Sequence, residues 1–499
     1  LSYQSEPLPM RRVILSALAA LAISSVFAVG ADSPVDALLY AKGAANWILS
    51  IAKEQDGVLT WPVNDTDKKA PAFDLYYGMP GGILLLAELA KEDPLGPYAK
   101  ALPASVNGLE SLRVEVSVPV AGKKNTWFQG AKGMTWGTLE GSTLKTPSGL
   151  YSGLSGIAWL YLELYRSTGE PRYLDGARSA VETILDRGIL AIGTATWDNS
   201  TDIISGAAGI GLLLLRAAAV LKNPRCMPAA ERAGDFLLNG AIQTPAGLKW
   251  KINAGASAVY PNFAHGTAGV AYFLVRLSDE TGRLPFLNAA LKGATELQFD
   301  AEEDPKQTTC TWFHHEGDGE NLWYVSWCHG PAGTARLFYA LSQSKLSKTQ
   351  KWPAGLPPAR RQATKSPSER PMDWVDCAAN WLLSSGIPEP KRPINGYWNE
   401  GLCCGTAGVG EFFVDLYLAT KKPEYLRAAE RMAQHLAAAA DPAGSGYRWI
   451  QAEDRVSPQK KDAQTGYAQG AAGIGLFFLK LSRAQRGVPI GWHLPDNPF

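Results

Sequence analysis

Seven stretches of this chain are apolar at nearly every position for about a dozen residues, and each opens on the same pair of glycines, G-x-x-G. They begin at Gly78 (GMPGGILLLAEL), Gly153 (GLSGIAWLYLEL), Gly206 (GAAGIGLLLLRA), Gly266 (GTAGVAYFLVRL), Gly330 (GPAGTARLFYAL), Gly405 (GTAGVGEFFVDL) and Gly470 (GAAGIGLFFLKL). The spacings are 75, 53, 60, 64, 75 and 65 residues. A helix with almost no polar face belongs in an interior, so each stretch predicts a buried helix. Between them the pattern changes. YLDGARSAVETILDRG after Gly153, FLNAALKGATELQFD after Gly266 and YLRAAERMAQHLAAA after Gly405 each keep one apolar stripe beside a charged face. These predict amphipathic helices. Two of them enter through P-x-Y-L-x-x-A (Pro171 to Ala177, Pro423 to Ala429), with proline where a first helical turn tolerates it. The segment NPRCMPAAERAGDFLLNG, after Gly206, reads as helical too.

Buried and amphipathic helices alternating at a period near 60 residues predict an all-α fold. The arrangement expected is a closed α/α toroid, a double-layered helical barrel with inner helices in a ring and outer helices around it. The competing architecture is an open α-solenoid of the HEAT kind, whose repeats are shorter and lack glycines at a fixed place. A length of 499 residues would otherwise suggest about three domains. The repeat replaces them with one, over 35–490, with a surface insertion near 345–370 where Ser, Lys, Pro and Arg crowd together. Glycine content fits the same picture. The chain has 50 where ~7%, or about 35, is usual, and two per copy absorb fourteen. At an inner-helix N-terminus glycine is expected to let backbones crowd, and to leave N–H groups open to a ligand.

Charge narrows the partners. With 48 Lys and Arg against 47 Asp and Glu, a net charge of +1 offers no electrostatic basis for a nucleic-acid partner or a polybasic membrane contact. Met10-Arg11-Arg12, the apolar run from Val13 to Val29 and small residues through Ala31 have the layout of a secretory signal peptide over 10–31. Residues 1–9 read as an upstream extension without structural role. The expectation is an exported protein, periplasmic or extracellular, with no stable membrane partner beyond the signal segment. An uncleaved membrane anchor is the alternative, although the run is shorter than the ~20 residues a span needs.

The chemistry sits beside the glycines. The two residues before the first glycine of each copy are Tyr76-Tyr77, Tyr151-Ser152, Ile204-Ser205, Ala264-His265, Cys328-His329, Cys403-Cys404 and Ala468-Gln469. Six His and six Cys are all the chain has, and five of them fall in these fourteen positions. If the copies are equivalent, a ring brings these residues to one end of adjacent inner helices. Cys328, Cys403 and Cys404 are then a candidate zinc set, with His329 a competing third ligand; three protein ligands and one open position is a catalytic arrangement. Three thiolates leave Zn²⁺ at about −1, poor at activating water but suited to keeping a fourth, substrate thiolate nucleophilic. Helix N-termini are expected to help hold the cysteines deprotonated. Buried cysteines without a metal are the alternative.

His265 reads as a general acid or base, or as a capping or core histidine. Asp202 and Asp74, each four residues before its glycine, read as active-site carboxylates or as caps. His314 and His315 lie in a Gly- and Asp-rich loop expected to be solvated. Cys226, Cys310 and Cys377 fall outside the register and are expected in packing or a disulfide. Trp323, Tyr324, Trp327 and Trp398 are candidate pocket walls.

W-C-H-G at Trp327–Gly330, C-C-G at Cys403–Gly405, A-H-G-x-A-G at Ala264–Gly269 and D-I-I-S-G at Asp202–Gly206 join the seven G-x-x-G copies. In this combination the chain resembles the lanthionine synthetase C-like (LanC-like) family. The resemblance implies a double-layered α/α toroid with a central zinc ion. It implies Cys328 and Cys403 as ligands, and Cys404 where the family usually has histidine, as in a C-C-G subgroup with three cysteine ligands. His265 and Asp202 match active-site positions. The implied activity is Michael-type thioether (lanthionine) formation, the addition of a thiol to dehydrated Ser or Thr residues, with a peptide and/or a small thiol as partner. Two other classes stay open: an exported α/α-toroid carbohydrate-active enzyme using carboxylates such as Asp74, Asp202 and Glu411, and a zinc-holding binding protein without catalysis.

Overall fold

All seven glycine-led stretches are helices, and in each the first glycine is the residue just before the first turn. They are α2 (Met79–Glu92), α4 (Leu154–Thr168), α6 (Ala207–Leu221), α8 (Thr267–Thr281), α10 (Pro331–Gln343), α12 (Thr406–Thr420) and α14 (Ala471–Arg486). Among the described residues the other seven α-helices are α1 (Ala37–Ser50), α3 (Pro97–Ser111), α5 (Pro171–Arg187), α7 (Cys226–Asn239), α9 (Leu284–Asp300), α11 (Pro371–Ser385) and α13 (Pro423–Ala438). The structure, a computed structural model, describes residues 35–499 except 67–69, 117–132, 141–142, 146, 192–193, 198, 305–307, 351–369, 390–398 and 454–456. The expected signal at 10–31, the extension at 1–9, most of the 345–370 insertion and Trp398 lie outside the described residues.

Inner helices pack on one another in chain order, and α14 packs on α2, so the seven close a ring. Each is backed by the outer helix that follows it, except α14, which is backed by α1 from the other end of the chain. The burial patterns match these places. Every residue of α4 from Leu154 to Leu164 is buried. In α13 only Tyr425, Ala429, Met432, Ala433 and Leu436 are, one stripe of an amphipathic helix.

The loops that enter the inner helices form a second, hydrogen-bonded ring. Main-chain N–H to O=C bonds run from Tyr76 to Tyr151, Tyr151 to Ile204, Ile203 to Ala264, Ala264 to Cys328, Cys328 to Cys403, Cys403 to Ala468 and Ala468 back to Tyr76, all at 2.8–3.1 Å. This circuit passes through the second residue before each glycine, with a one-residue step at Ile203/Ile204. An open solenoid has no such return.

The glycines let backbones crowd, as expected, but do not open the helix ends to a ligand. The entering loop tucks under the first turn, so that a Cβ on Gly266 or Gly269 would overlap the carbonyl oxygen six residues earlier, Tyr260 or Phe263. Gly330 has the further need of a positive φ, +118°. First-turn N–H groups are not left open for a ligand. Thr267 donates to Tyr260 O and Ala268 to Pro261 O; Thr406 donates to Asn399 O and Ala407 to Glu400 O. The loop itself satisfies the orphan donors.

Two features fall outside the helix pattern. Short antiparallel ribbons, eight among the described residues, follow most outer helices. In five of these segments a buried indole caps the last turn of the preceding outer helix: Trp136, Trp197, Trp250, Trp312 and Trp449 donate to the carbonyls of Leu109, Ile184, Leu237, Leu297 and Leu436 at 2.7–2.9 Å. The second is the segment after α14. It runs through the middle of the ring, where His493 O accepts from Trp159 of α4, Pro495 O from Tyr272 of α8, and Asn497 donates to Asp415 of α12. Among the described residues no helix is long and apolar enough to cross a membrane.

Candidate metal centre

The hydrogen-bonded loop ring places copies five and six side by side, and with them Cys328, Cys403 and Cys404. Their sulfurs lie within 4.8 Å of one another; Cys404 Sγ is 3.2 Å from Cys328 Sγ and 3.3 Å from Cys403 Sγ. Two sulfurs bound at ~2.3 Å to one tetrahedral zinc sit roughly 3.8 Å apart, so the cluster has the right span, and soft thiolates suit that ion. Among the described residues this is the one group of three or more His, Cys, Asp or Glu side chains so arranged. His329, the competing ligand, is not part of it.

Burial pushes the Cys328 thiol well above its ordinary range, and the neighbouring Cys403 and Cys404 push the same way. For Cys404 the hydrogen bond with Cys328 pulls down, but Cys403 and burial outweigh it and the net direction is up. Next to Cys403 and Cys404, the first-turn N–H groups of Thr406 and Ala407 donate to loop carbonyls and not to the sulfurs. Three anions this close in a dry site repel strongly. A divalent metal would supply the opposing charge and release protons on binding. Tyr76 donates its phenol hydrogen to Cys403 Sγ at 3.1 Å. Its own ionisation is pushed well up by burial and then by Cys403 and Cys404.

One copy away from Cys328 stands a second pair. His265 Nδ1 lies 2.6 Å from Asp202 Oδ2, and Asp202 Oδ1 accepts the Ser205 N–H at 3.1 Å. Asp202 thus does not cap the helix; it braces its loop and orients the imidazole. A carboxylate only accepts, so the bond assigns the hydrogen to Nδ1 and leaves the lone pair on Nε2. The imidazole is about one-third exposed whereas Asp202 is buried. The His265 ring lies 5.8 Å from that of His329.

Other candidates land elsewhere. His314 is buried instead of solvated, stacked 4.2 Å from His329 and 4.4 Å from Tyr324, with Tyr260 at 5.5 Å. His315 Nε2 contacts Asp318 at 2.9 Å. Asp74 accepts the Tyr77 N–H at 2.8 Å and braces its loop, burial raising its pKa. Glu411 is not at the ring end but buried under it, 3.1 Å from Lys480. Trp327 is buried and Trp323 half-buried. Cys310 and Cys377 form a disulfide joining a ribbon to α11, while Cys226 is buried at the start of α7, its thiol pushed up to about 11 by burial. Sequence reasoning assigned no role to Tyr76 or Gln469, although both stand in the register beside the glycines.

Several solved structures and one family model are similar to this chain. Nisin cyclase superposes with a TM-score of 0.52 at 18% identity, covering 84% of this chain and 90% of its own. A cellobiose 2-epimerase from Spirochaeta thermophila gives 0.46 at 11% identity over 96% and 99% of the two chains. A sugar epimerase from a ruminal bacterium gives 0.45 at 13% over 68% and 87%. No curated protein matches the chain in sequence. The family model described as lanthionine synthetase C-like protein matches residues 189–352 and 394–489, more than half of the chain and the whole of both the thiol and the His265 copies. With that match beside the seven-fold ring, the chain belongs to the lanthionine synthetase C-like family.

Proposed function

We propose that this protein is a zinc-dependent enzyme that adds a thiol to dehydrated Ser or Thr residues of a peptide, forming a thioether. The observation that carries the reading is the convergence of Cys328, Cys403 and Cys404 beside an oriented His265–Asp202 pair. The three cysteines would hold the ion, which when bound keeps a substrate thiol deprotonated and nucleophilic near neutral pH. Sulfur attacks the β-carbon of a dehydroalanine or dehydrobutyrine, and the alkene pair moves onto the carbonyl as an enolate. His265 takes the thiol proton on Nε2 and delivers it to the α-carbon, so that the net change is addition of S–H across C=C. Asp202 holds the ring in that orientation. Similarity to nisin cyclase, together with the family, supports a peptide as the acceptor.

The test is zinc content together with thiol addition to a dehydroalanine peptide, followed by mass. About one zinc per chain and a thioether product dependent on Cys328 and His265 are expected. Zinc without addition would reduce the protein to a metal-holding binder. Absence of zinc from freshly purified, reduced protein, or undiminished activity in Cys328→Ala, would overturn the reading.

A further inference from the structure

The thiols of the centre are reached by a chain of hydrogen bonds that all point the same way. It begins on the main chain, where the Gly401 N–H donates to Asn399 Oδ1 at 2.9 Å. That contact turns Asn399 Nδ2 toward Gln469 Oε1, 2.7 Å away. With its oxygen engaged there, the Gln469 amide presents Nε2 to the site, 3.0 Å from the Tyr76 hydroxyl and 3.5 Å from Cys404 Sγ. Tyr76 accepts from Gln469 and passes its own hydrogen to Cys403 Sγ. Repeat register places the members. Tyr76 is the second residue before the glycine of the first copy, and Gln469 directly precedes that of the seventh. The loop ring joins those copies through the Ala468 N–H and Tyr76 O. Gly401 belongs to the design, since a Cβ there would crowd the Gln469 side chain and the Ala468 carbonyl.

We infer that Tyr76 and Gln469 are positioning residues of the metal centre, neutral donors that draw charge from Cys403 and Cys404 and so set how strongly these sulfurs bind a metal. The inference rests on the reading that the three cysteines hold a divalent ion. Hydrogen bonds to an anionic acceptor are about twice as strong as neutral ones, and stronger still where water is excluded. Each one lowers the electron density its sulfur donates. A centre of three thiolates is otherwise electron-rich, and a metal so supplied pulls weakly on a fourth thiol. The two donors act on different ligands, and Gln469 also orients the Tyr76 hydroxyl, so losing either one weakens the effect without abolishing binding.

Cobalt(II) reads this directly, because the energy of its sulfur-to-metal charge-transfer absorption follows the donor strength of the thiolates. In the full chain loaded with Co²⁺, Tyr76→Phe should move that band to lower energy and, by releasing the Cys403 sulfur from the donor that holds it in place, weaken Zn²⁺ affinity about tenfold in a competition titration. Gln469→Leu should shift the band in the same direction. Tyr77→Phe, at the exposed neighbour of Tyr76, should leave both readouts at parental values. A Tyr76→Phe protein with the parental band and affinity would refute the inference. Should that variant misfold by circular dichroism, Gln469→Leu decides, and an unshifted band there refutes it equally. A parent chain that takes up no cobalt overturns the metal reading itself and the inference with it, an outcome distinct from a bound but insensitive centre.

Discussion

Two buried clusters of acids occupy the axis of this ring, and they are built on opposite principles. Beneath the loop ring, Glu411, Asp415 and Asp496 share the interior with Arg336 and Lys480. Lys480 Nζ lies 2.6 Å from Asp415 and 3.1 Å from Glu411; Arg336 is 3.6 Å from Glu411 and 3.8 Å from Asp496. Burial pulls Lys480 toward neutrality, but Asp415 and Glu411 outweigh it and the ammonium is held. Burial pushes Glu411 up, and Lys480 and Arg336 bring it below its ordinary value. Three carboxyls face two cations, and the surplus shows at Asp415 and Asp496, where burial prevails and pKa rises. Asp496 compensates further by accepting from Trp327 Nε1 at 2.9 Å and Tyr151 OH at 3.1 Å. In the thiol cluster the influences on Cys328 are burial and the other two thiols, all upward. The lower cluster carries two of its three counter-charges within the fold. The upper one gathers thiols that push one another upward and that could take a counter-charge from a metal ion.

The comparison breaks most clearly at the thiols. Cys403→Ala should take zinc from about one ion per chain to none and abolish thiol addition, while the metal-free protein unfolds near the parental denaturant concentration. Because the thiols are pushed up, binding must expel more than one proton, so lowering the pH from 7 to 6 should weaken zinc binding by more than about tenfold. A pH-independent affinity would show that the sulfurs are already ionised in the empty site.

Lys480→Met should do the reverse. It strands Asp415 and Glu411 in the interior, where breaking one side of a buried ion cluster costs about 3–5 kcal/mol, read as a lower denaturation midpoint. Zinc stoichiometry in the fraction that folds should stay at the parental value. If Lys480→Met were neutral in stability but lost zinc, the division between the two clusters would be wrong.

Repetition decided what could be read from the chain. Glycines recurring before apolar helices exposed the ring, and the register they set brought Cys328, Cys403 and Cys404 together without any spacing motif of their own. Lys480, Arg336, Glu411 and Asp415 also carried a signal, being charges inside helices otherwise apolar all round, which is where a buried network has to be. Their partner Asp496 carried none, since it comes from a segment outside every repeat and its neighbours are set only by the path of the chain through the ring. The indoles that cap outer helices form a hidden repeat, at irregular distances from the glycines because ribbon lengths vary. Tyr76 and Gln469 stood in the right register, but their role depends on which way an amide faces, and that follows from Asn399 and Gly401 in a third loop.

A third arrangement lies between the two clusters, and its effect is the smallest. His435 on α13 is half-buried, with Nδ1 3.2 Å from Glu389 and Nε2 3.2 Å from Glu400, the latter in the loop that leads to Cys403. The hydrogen bond to Glu400 is the main reason its pKa rises, against the pull of burial, with Glu389 adding to it. A histidine whose folded pKa exceeds its unfolded value of about 6.5 contributes stability fully below that value. The contribution is lost as pH climbs through the folded pKa. Partial exposure limits it to less than about 1 kcal/mol. Metal-free protein should therefore lose slightly more stability between pH 6 and pH 8 than His435→Gln does, measured by urea unfolding at each pH. Equal losses would mean that the base contributes nothing here. A larger loss in the parent would place this pair nearer the self-compensated cluster, tying the outer layer to the loop that carries the thiols.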